Sequence, residues 1–473
     1  MTKKNINRRD FIKTLGAGAV VAGAASLAGC RTKLPNELDP AGHHTDEVPT
    51  DKMTYRQFES LDNDRVSILG YGCMRWPTLS QPEADGNVID QEQVNRLVDY
   101  AMAHGITYYD TAPVYVQGWS EQATAKALKK YPRESYYLAT KLSSHRFSGQ
   151  GLPKEEMYRR SMDFYNNSFI NLQTDYIDYY LLHGCGFGGG MPSIAERFFD
   201  TGILDFLVKE REAGRIRHLG FSFHGDVKVF DYLLELHDEG KYHWDFVQIQ
   251  MNYLDWRHAV GASVPCEYLY HELERRQIPV VIMEPLLGGR LSNLPQHVVA
   301  RLKQRIPENS AASWAFRFAG SYPYVLACLS GMTYMEHLQD NIRSFSPLVS
   351  LTDEEKDFLF ETADIMQQYP TIPCNQCQYC MPCPYGLDIP AVFTHFNKCV
   401  NEGNVPESQQ DPNYRNARRA FLVGYDRSVP RIRQASHCTS CNQCSPHCPQ
   451  MINIPEQMQR IDEFVEALKQ NTL

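Results

Sequence analysis

Ile177-Asp178-Tyr179-Tyr180-Leu181-Leu182-His183 is a run of β-branched, aromatic and aliphatic residues that closes on a histidine. An amphipathic stretch long enough for a helix, Glu155–Asn171, precedes it, and before that stands a second such run, Tyr136–Lys141, closing on a lysine. Strand, helix and strand in that order form the βα unit, whose strands lie parallel. The same alternation continues in both directions. Val66–Tyr71, Ile106–Thr111, Ile216–Ser222, Phe246–Met251, Pro279–Pro285 and Val325–Ser330 read as strands, and Gln91–His104 as another intervening helix. Eight strands over residues 53–345 specify an α/β fold of the closed (β/α)₈ barrel type better than an open sheet. Such barrels carry their chemistry at the C-terminal strand ends.

Four polar residues fall at those ends: Asp110 and Tyr115 after the second strand, Lys141 at the end of the third and His183 at the end of the fourth. Each has an ordinary reading by itself, as a loop cap, rim packing, a solvated strand end or a hydrogen-bonded core imidazole. Together they suit hydride addition to a carbonyl, which creates an alkoxide in need of a proton. A free tyrosine, with a pKa of about 10, is a poor donor at neutral pH, and a nearby ammonium lowers that value. The motifs Asp110-Thr111-Ala112-Pro113-Val114-Tyr115, Ala139-Thr140-Lys141 and Leu181-Leu182-His183 resemble the catalytic segments of aldo-keto reductases over nearly the whole barrel. That resemblance implies Tyr115 as general acid, Lys141 as the group that tunes it, Asp110 as the partner of Lys141, and His183 as the residue orienting the carbonyl oxygen.

Further segments resemble the family's nicotinamide cofactor site: Gly220-Phe221-Ser222-Phe223-His224, Gln248 through Tyr253, Met283-Glu284-Pro285-Leu286 and Ser330-Gly331-Met332. The resemblance implies that Ser222 and Gln248 hold the carboxamide of NAD(P)H, that Glu284, Leu286 and Gly288 lie along the pyrophosphate, and that Asp340 and Asn341 stand near adenine. Three features depart from the family: Met283 replaces the usual aromatic stacking residue, Phe223 replaces an amide, and neither Gly331–Thr333 nor His337 offers a lysine or arginine for a 2′-phosphate. NADH, NADPH or neither remain open.

Nine of the fourteen cysteines fall from Cys374 onward. Eight form two runs, Cys374-x-x-Cys377-x-x-Cys380-x-x-Cys383-Pro384 and Cys438-x-x-Cys441-x-x-Cys444-x-x-x-Cys448-Pro449. They are an internal repeat, since Cys383-Pro-Tyr-Gly-Leu-Asp-Ile-Pro390 mirrors Cys448-Pro-Gln-Met-Ile-Asn-Ile-Pro455 and each leads into a helical stretch. Zinc needs only four ligands and leaves the extra Cys-x-x-Cys link in each run without a purpose, while disulfides suit an exported compartment. The runs resemble bacterial two-cluster ferredoxins, which implies two 4Fe-4S clusters in a mainly helical domain over residues 371–473. In such ferredoxins the fourth cysteine of each run serves the other cluster. The resemblance therefore implies one set of Cys374, Cys377, Cys380 and Cys448, and a second of Cys438, Cys441, Cys444 and Cys383. Residues 346–370, around the helical pattern Leu351–Gln368, connect this domain to the barrel. Cys399 reads as a buried helix thiol.

At the other end, Asn7-Arg8-Arg9-Asp10-Phe11 precedes a Gly/Ala-rich apolar stretch ending in Leu27-Ala28-Gly29-Cys30. Residues 1–30 resemble a twin-arginine signal with a lipoprotein cleavage box. This implies an exported, periplasmic or cell-envelope protein that contacts the membrane through a lipid on Cys30. Proline-bearing residues 31–52 read as a tether. The chain's net charge is −9, and loss of residues 1–29 removes five basic residues against one acidic, so no basic face for a nucleic acid is expected. Two functions follow. One is an oxidoreductase acting on a small carbonyl or alcohol. The other is an exported electron-transfer protein whose barrel binds a ligand without NAD(P)H-dependent turnover, passing electrons to a redox partner protein.

Overall fold

The computed structural model describes residues 48–258 and 264–473. Cys30 and the paired arginines lie outside the described residues. The chain first forms a short antiparallel pair, β1 (Tyr55–Arg56) with β2 (Val66–Ser67). Eight parallel strands then close a barrel: β3 (Leu69–Gly72), β4 (Tyr108–Asp110), β5 (Tyr137–Leu142), β6 (Ile177–Cys185), β7 (Ile216–Phe223), β8 (Phe246–Gln250), β9 (Val280–Met283) and β10 (Val325–Ser330). Each pairs with its neighbour in sequence, and β10 returns to β3 through Cys328↔Leu69 and Ser330↔Tyr71.

One strand differs from the sequence reading. The run expected as a single strand, Val66–Tyr71, is divided: Val66 and Ser67 pair with β1, and only Leu69 onward enters the barrel. At the division the Ser67 hydroxyl donates to the Leu69 carbonyl at 2.8 Å, and the Ser67 amide donates to Thr107 Oγ1 at 3.0 Å. Side-chain bonds of this kind offer the backbone an alternative to the ladder.

Inward-facing Tyr108, Ala139, Tyr179, Leu181, Phe246, Val281 and Ala327 fill the barrel as a packed interior. The outer faces of the strands pack against helices such as Gln91–Ala103, whose start is capped by Asp90 accepting from the Gln93 amide at 3.0 Å. The helix Asp353–Gln367, begun by a reciprocal Thr352–Glu355 capping box, leads out of the barrel.

Beyond it, Ile389–Asn401, Tyr414–Ser428 and Ile454–Gln470 surround a separate apolar core that includes Val392, Phe421, Met458 and Ile461. Cys399 is buried there, its Sγ 3.4 Å from His395 Nε2. This helical region and the barrel form one compact unit. Among the described residues no helix is long and apolar enough to cross a membrane.

Candidate active site and cysteine loops

Parallel register brings the four polar strand-end residues to one mouth. Asp110 is paired with Ala139, two residues before Lys141, and Lys141 with Leu181, two residues before His183, so the three step along successive strands toward the same C-terminal mouth. Lys141 is fully buried; its Nζ lies 2.5 Å from Asp110 Oδ1 and donates to the Thr111 carbonyl at 2.8 Å. A buried ammonium of this kind requires a partner of opposite charge. The same Nζ stands 4.9 Å from the centre of the Tyr115 ring. His183 meets that ring edge-on at 5.9 Å, and its Nδ1 is 2.6 Å from Ser143 Oγ, which leaves Nε2 for the mouth.

Tyr115 begins a tight turn in which Val116 (φ 48°) and Gln117 (φ 57°) both adopt the left-handed region. For a β-branched residue this is an outlier costing on the order of 1–3 kcal/mol. The turn stays in place beside the reacting tyrosine.

Burial pushes the Tyr115 phenol well above its ordinary pKa, helped by the neighbouring Tyr379 and Asp110. In the resting arrangement Lys141 is bound to Asp110, and the phenol is enclosed. Burial, with the positive charges of Lys141 and Arg197 nearby, keeps His183 well below the usual imidazole range and therefore neutral.

Four residues that complete the mouth were not singled out in the sequence. Tyr379, between Cys377 and Cys380, is close enough to help hold the Tyr115 phenol up, and its ring lies 6.5 Å from that of His183. His145 packs edge-on against His183 at 4.8 Å and near Tyr379 at 5.8 Å, with neither ring nitrogen bonded to protein. Asn375 and Gln450 come from the two cysteine-bearing loops. The only sequence signal for Tyr379 was an aromatic residue inside a Cys-x-x-Cys link.

The residues assigned to a dinucleotide by resemblance are engaged by the protein. Gln248 Nε2 donates to Asp110 Oδ2 at 3.1 Å, and Ser222 Oγ accepts from the Gly184 amide at 2.8 Å. Glu284 accepts from the Asn375 side-chain amide and, at 3.3 Å, from Gln450 Nε2. Loss of solvation and the Asp255 carboxylate push the Glu284 carboxyl up to about 7. Beside Gly288, a Cβ would fall 2.2 Å from the Asn375 carbonyl oxygen. Leu286 packs on the barrel core. Asn341 donates to Ser330 Oγ at 2.9 Å, and Asp340 accepts from Ser310 at 2.7 Å. Arg75 lies over Gly331, its side chain 2.9 Å from where a Cβ would stand. With the strip from Glu284 to Gly288 under the first cysteine loop, the arrangement does not fit a bound NAD(P)H.

The cysteines fit an iron–sulfur centre better. Cys374, Cys377, Cys380 and Cys448 line one cavity, walled by Ile389, Phe393, Ile452 and Ile454. Cys444 is influenced electrostatically by Cys438, Cys441 and Cys383. The thiols in both groups are free rather than disulfide-bonded. The repeat seen in the sequence is also a repeat of backbone geometry. Gln376 and Gln378 in the first run, and Ser440 and Asn442 at the matching offsets in the second, all have φ between 56° and 65°. Gly386 and Met451 repeat the correspondence three residues past Cys383 and Cys448. Such turns direct successive amides inward to form an anion-binding concavity; the Gln376 amide already donates to Cys374 Sγ at 3.4 Å. Among the described residues no three His, Cys, Asp or Glu groups converge as a single metal ion requires.

Comparison with known proteins agrees with this division of the chain. Residues 68–359 match the aldo/keto reductase family model. The chain belongs to the aldo/keto reductase family. Residues 373–454 match a 4Fe-4S dicluster domain. Among curated relatives, the uncharacterized oxidoreductase YqkF of Bacillus subtilis is 24% identical over 325 residues, covering 64% of this chain and 94% of its own. The L-galactose dehydrogenase of Arabidopsis thaliana is 24% identical over 319 residues, covering 63% and 91%. The solved structure of a thermostable aldo-keto reductase, Tm1743, shares the fold with a TM-score of 0.50 at 21% identity, over 66% of this chain and 100% of that one. This aldo/keto reductase is an oxidoreductase carrying a ferredoxin-type iron–sulfur domain.

Proposed function

We propose that this protein interconverts a small carbonyl compound and its alcohol at the Tyr115 mouth, and that its C-terminal domain holds two 4Fe-4S clusters. The observation that carries the reading is the buried Lys141–Asp110 pair directly beneath Tyr115, with His183 beside it. A substrate oxygen enters beside Tyr115 and accepts a hydrogen bond from His183 Nε2. Tyr115 then gives the oxygen its proton, or takes it back in the oxidative direction. Lys141, held by Asp110, supplies positive potential for the phenolate as it forms.

Cys374, Cys377, Cys380 and Cys448 would hold one cluster, and Cys383, Cys438, Cys441 and Cys444 the other. Each cluster, when bound, supplies or accepts one electron, which implies a one-electron redox partner protein. On the strength of Arg8-Arg9 and Leu27-Ala28-Gly29-Cys30, we further propose export and lipid attachment at Cys30.

The test is anaerobic purification with iron and sulfide analysis, followed by assay of aldehydes and ketones with reduced methyl viologen as electron donor. Iron and sulfide at the level of two 4Fe-4S clusters, together with conversion of at least one carbonyl class to alcohol, support the proposal. Absence of any carbonyl or alcohol turnover in cluster-loaded protein contradicts it.

A further inference from the structure

We infer that in this chain the first cysteine loop stands in place of a nicotinamide dinucleotide, and that the cluster of Cys374, Cys377, Cys380 and Cys448 is the barrel's own redox partner. This rests on the reading of Tyr115 as the proton-transfer residue and adds the source of its electrons.

The loop is fastened along the strip a pyrophosphate would need. Arg75 donates to the Asn375 carbonyl at 2.6 Å, and the Asn375 side chain binds Glu284. Asn375 backbone lies so close to Gly288 that even a methyl group has no room there. From the second loop, Gln450 Nε2 donates to Gln250 Oε1 at 2.9 Å and to Glu284. Arg290, a cation that could have met a phosphate, donates instead to Thr371 Oγ1 at 3.1 Å. A dinucleotide lying along the strip from Glu284 to Gly288 would have to break these contacts together, and polar groups left buried without partners cost about 1–3 kcal/mol each.

The same docking carries the cluster loop to the reacting centre. Tyr379 stands between two of the four cysteines in sequence, and its ring packs 5.8 Å from that of His145 and 6.5 Å from that of His183 at the Tyr115 mouth. The segment between Cys377 and Cys380, which would hold the cluster, therefore places one of its own side chains among the rings around the proton donor.

The chemistry balances without a hydride carrier. Reduction adds two electrons and two protons to the C=O group: its π bond breaks, and an O–H and a C–H bond form. The clusters, when bound, would supply the two electrons singly, and a one-electron carrier protein would restore them. One proton passes from Tyr115 to oxygen. The second, which a hydride would otherwise have carried, comes from solvent by way of His145, partly buried beside His183 with both ring nitrogens lacking a protein partner. Oxidation reverses each transfer.

Two measurements on the cluster-loaded, full-length protein test this. In the first, NADH and NADPH are titrated anaerobically while nucleotide fluorescence and the visible cluster absorption are followed. No saturable binding up to about a hundredfold excess and no bleaching of the clusters are expected; one-to-one binding in the micromolar range overturns the inference. In the second, the protein carries 3-fluorotyrosine, and the Tyr115 and Tyr379 signals are assigned with Tyr115→Phe and Tyr379→Phe. Reduction by dithionite should broaden both signals strongly while leaving that of Tyr158, on the outer helix Lys154–Leu172, unchanged. A Tyr115 signal indifferent to cluster reduction overturns it too. Nucleotide binding would refute this inference while leaving the carbonyl reading intact, whereas absence of all carbonyl turnover without nucleotide binding would refute the carbonyl reading and leave only the loop's occupation of the dinucleotide strip.

Discussion

Asn375, the residue after the first cysteine of the C-terminal domain, donates its side-chain amide to the carboxyl of Glu284 at the end of the seventh barrel strand. The contact joins the two parts of the chain at the position where chemistry is concentrated. Glu284 itself has φ 55°, a left-handed conformation that aims its carboxyl across the mouth. The cysteine loop is thus part of the wall of the active site.

Replacement of Gly288 tests that wall. At φ 66°, an alanine would be strained by about 1–2 kcal/mol. Its Cβ would also strike the Asn375 carbonyl, a rigid backbone atom, and overpacking of this kind adds about 1–3 kcal/mol. Gly289, at φ 98° with its nearest neighbour 3.8 Å away, is the control for strain without collision. Gly288→Ala should lower the unfolding free energy more than Gly289→Ala and expose the first cysteine loop to proteolysis. Equal behaviour of the two variants would contradict a docked loop.

The pH dependence of stability should show the imidazoles that packing removes from solvent, His183 almost fully and His145 and His224 in part. Burial holds His224 down to about 4, and it holds His145 and His183 well below the usual range. An unfolded chain protonates each near pH 6.5. The unfolded state therefore binds more protons once the pH falls below 6.5, and stability drops through that window until the folded group also protonates. For His224 the loss between pH 7.5 and pH 5 is about 2 kcal/mol. Denaturant unfolding of His224→Gln at both pH values should show a smaller drop than wild type by that amount. Identical drops would mean that His224 is not buried as a neutral group.

The sharing of cysteines between the runs predicts interdependence. Cys448 lines the cavity of Cys374, Cys377 and Cys380, although it lies far along the chain. Truncation after Gly424 removes Cys448 with the rest of the second run but keeps Cys383, so the first centre should be left with three thiolates. Iron analysis and electron paramagnetic resonance should then find a labile or three-iron species. A stable four-iron signal in the truncated protein would mean that Cys383 closes the first run upon itself.

The barrel was legible because its signals are local and repeated. The strands from Ile177, Ile216 and Val325 begin in the structure at the residue where the apolar runs begin. The division at Ile68 was not, because Val66–Ser67 and Leu69–Gly72 form one continuous apolar run, and only the distant Tyr55–Arg56 strand separates them. The convergence of Asp110, Lys141 and His183 followed from their shared position at strand ends. Tyr379, Asn375, Gln450 and Arg75 were hidden for the opposite reason. Their roles depend on how the helical region seats on the barrel, which neither periodicity nor cysteine spacing encodes. The resemblance even pointed away from them, since it assigned Glu284 and Gly288 to a dinucleotide where the chain presents its own loop.

The most direct test of the account is the activity of Tyr115→Phe. The change removes one hydroxyl, leaving the Lys141–Asp110 pair and all eight cluster cysteines untouched. Carbonyl reduction driven by reduced methyl viologen should fall by about 10²–10⁴ while iron content and the paramagnetic signal of the reduced clusters persist. Activity within about tenfold of wild type would show that Tyr115 does not supply the proton, and the proposed reaction would lose its foundation.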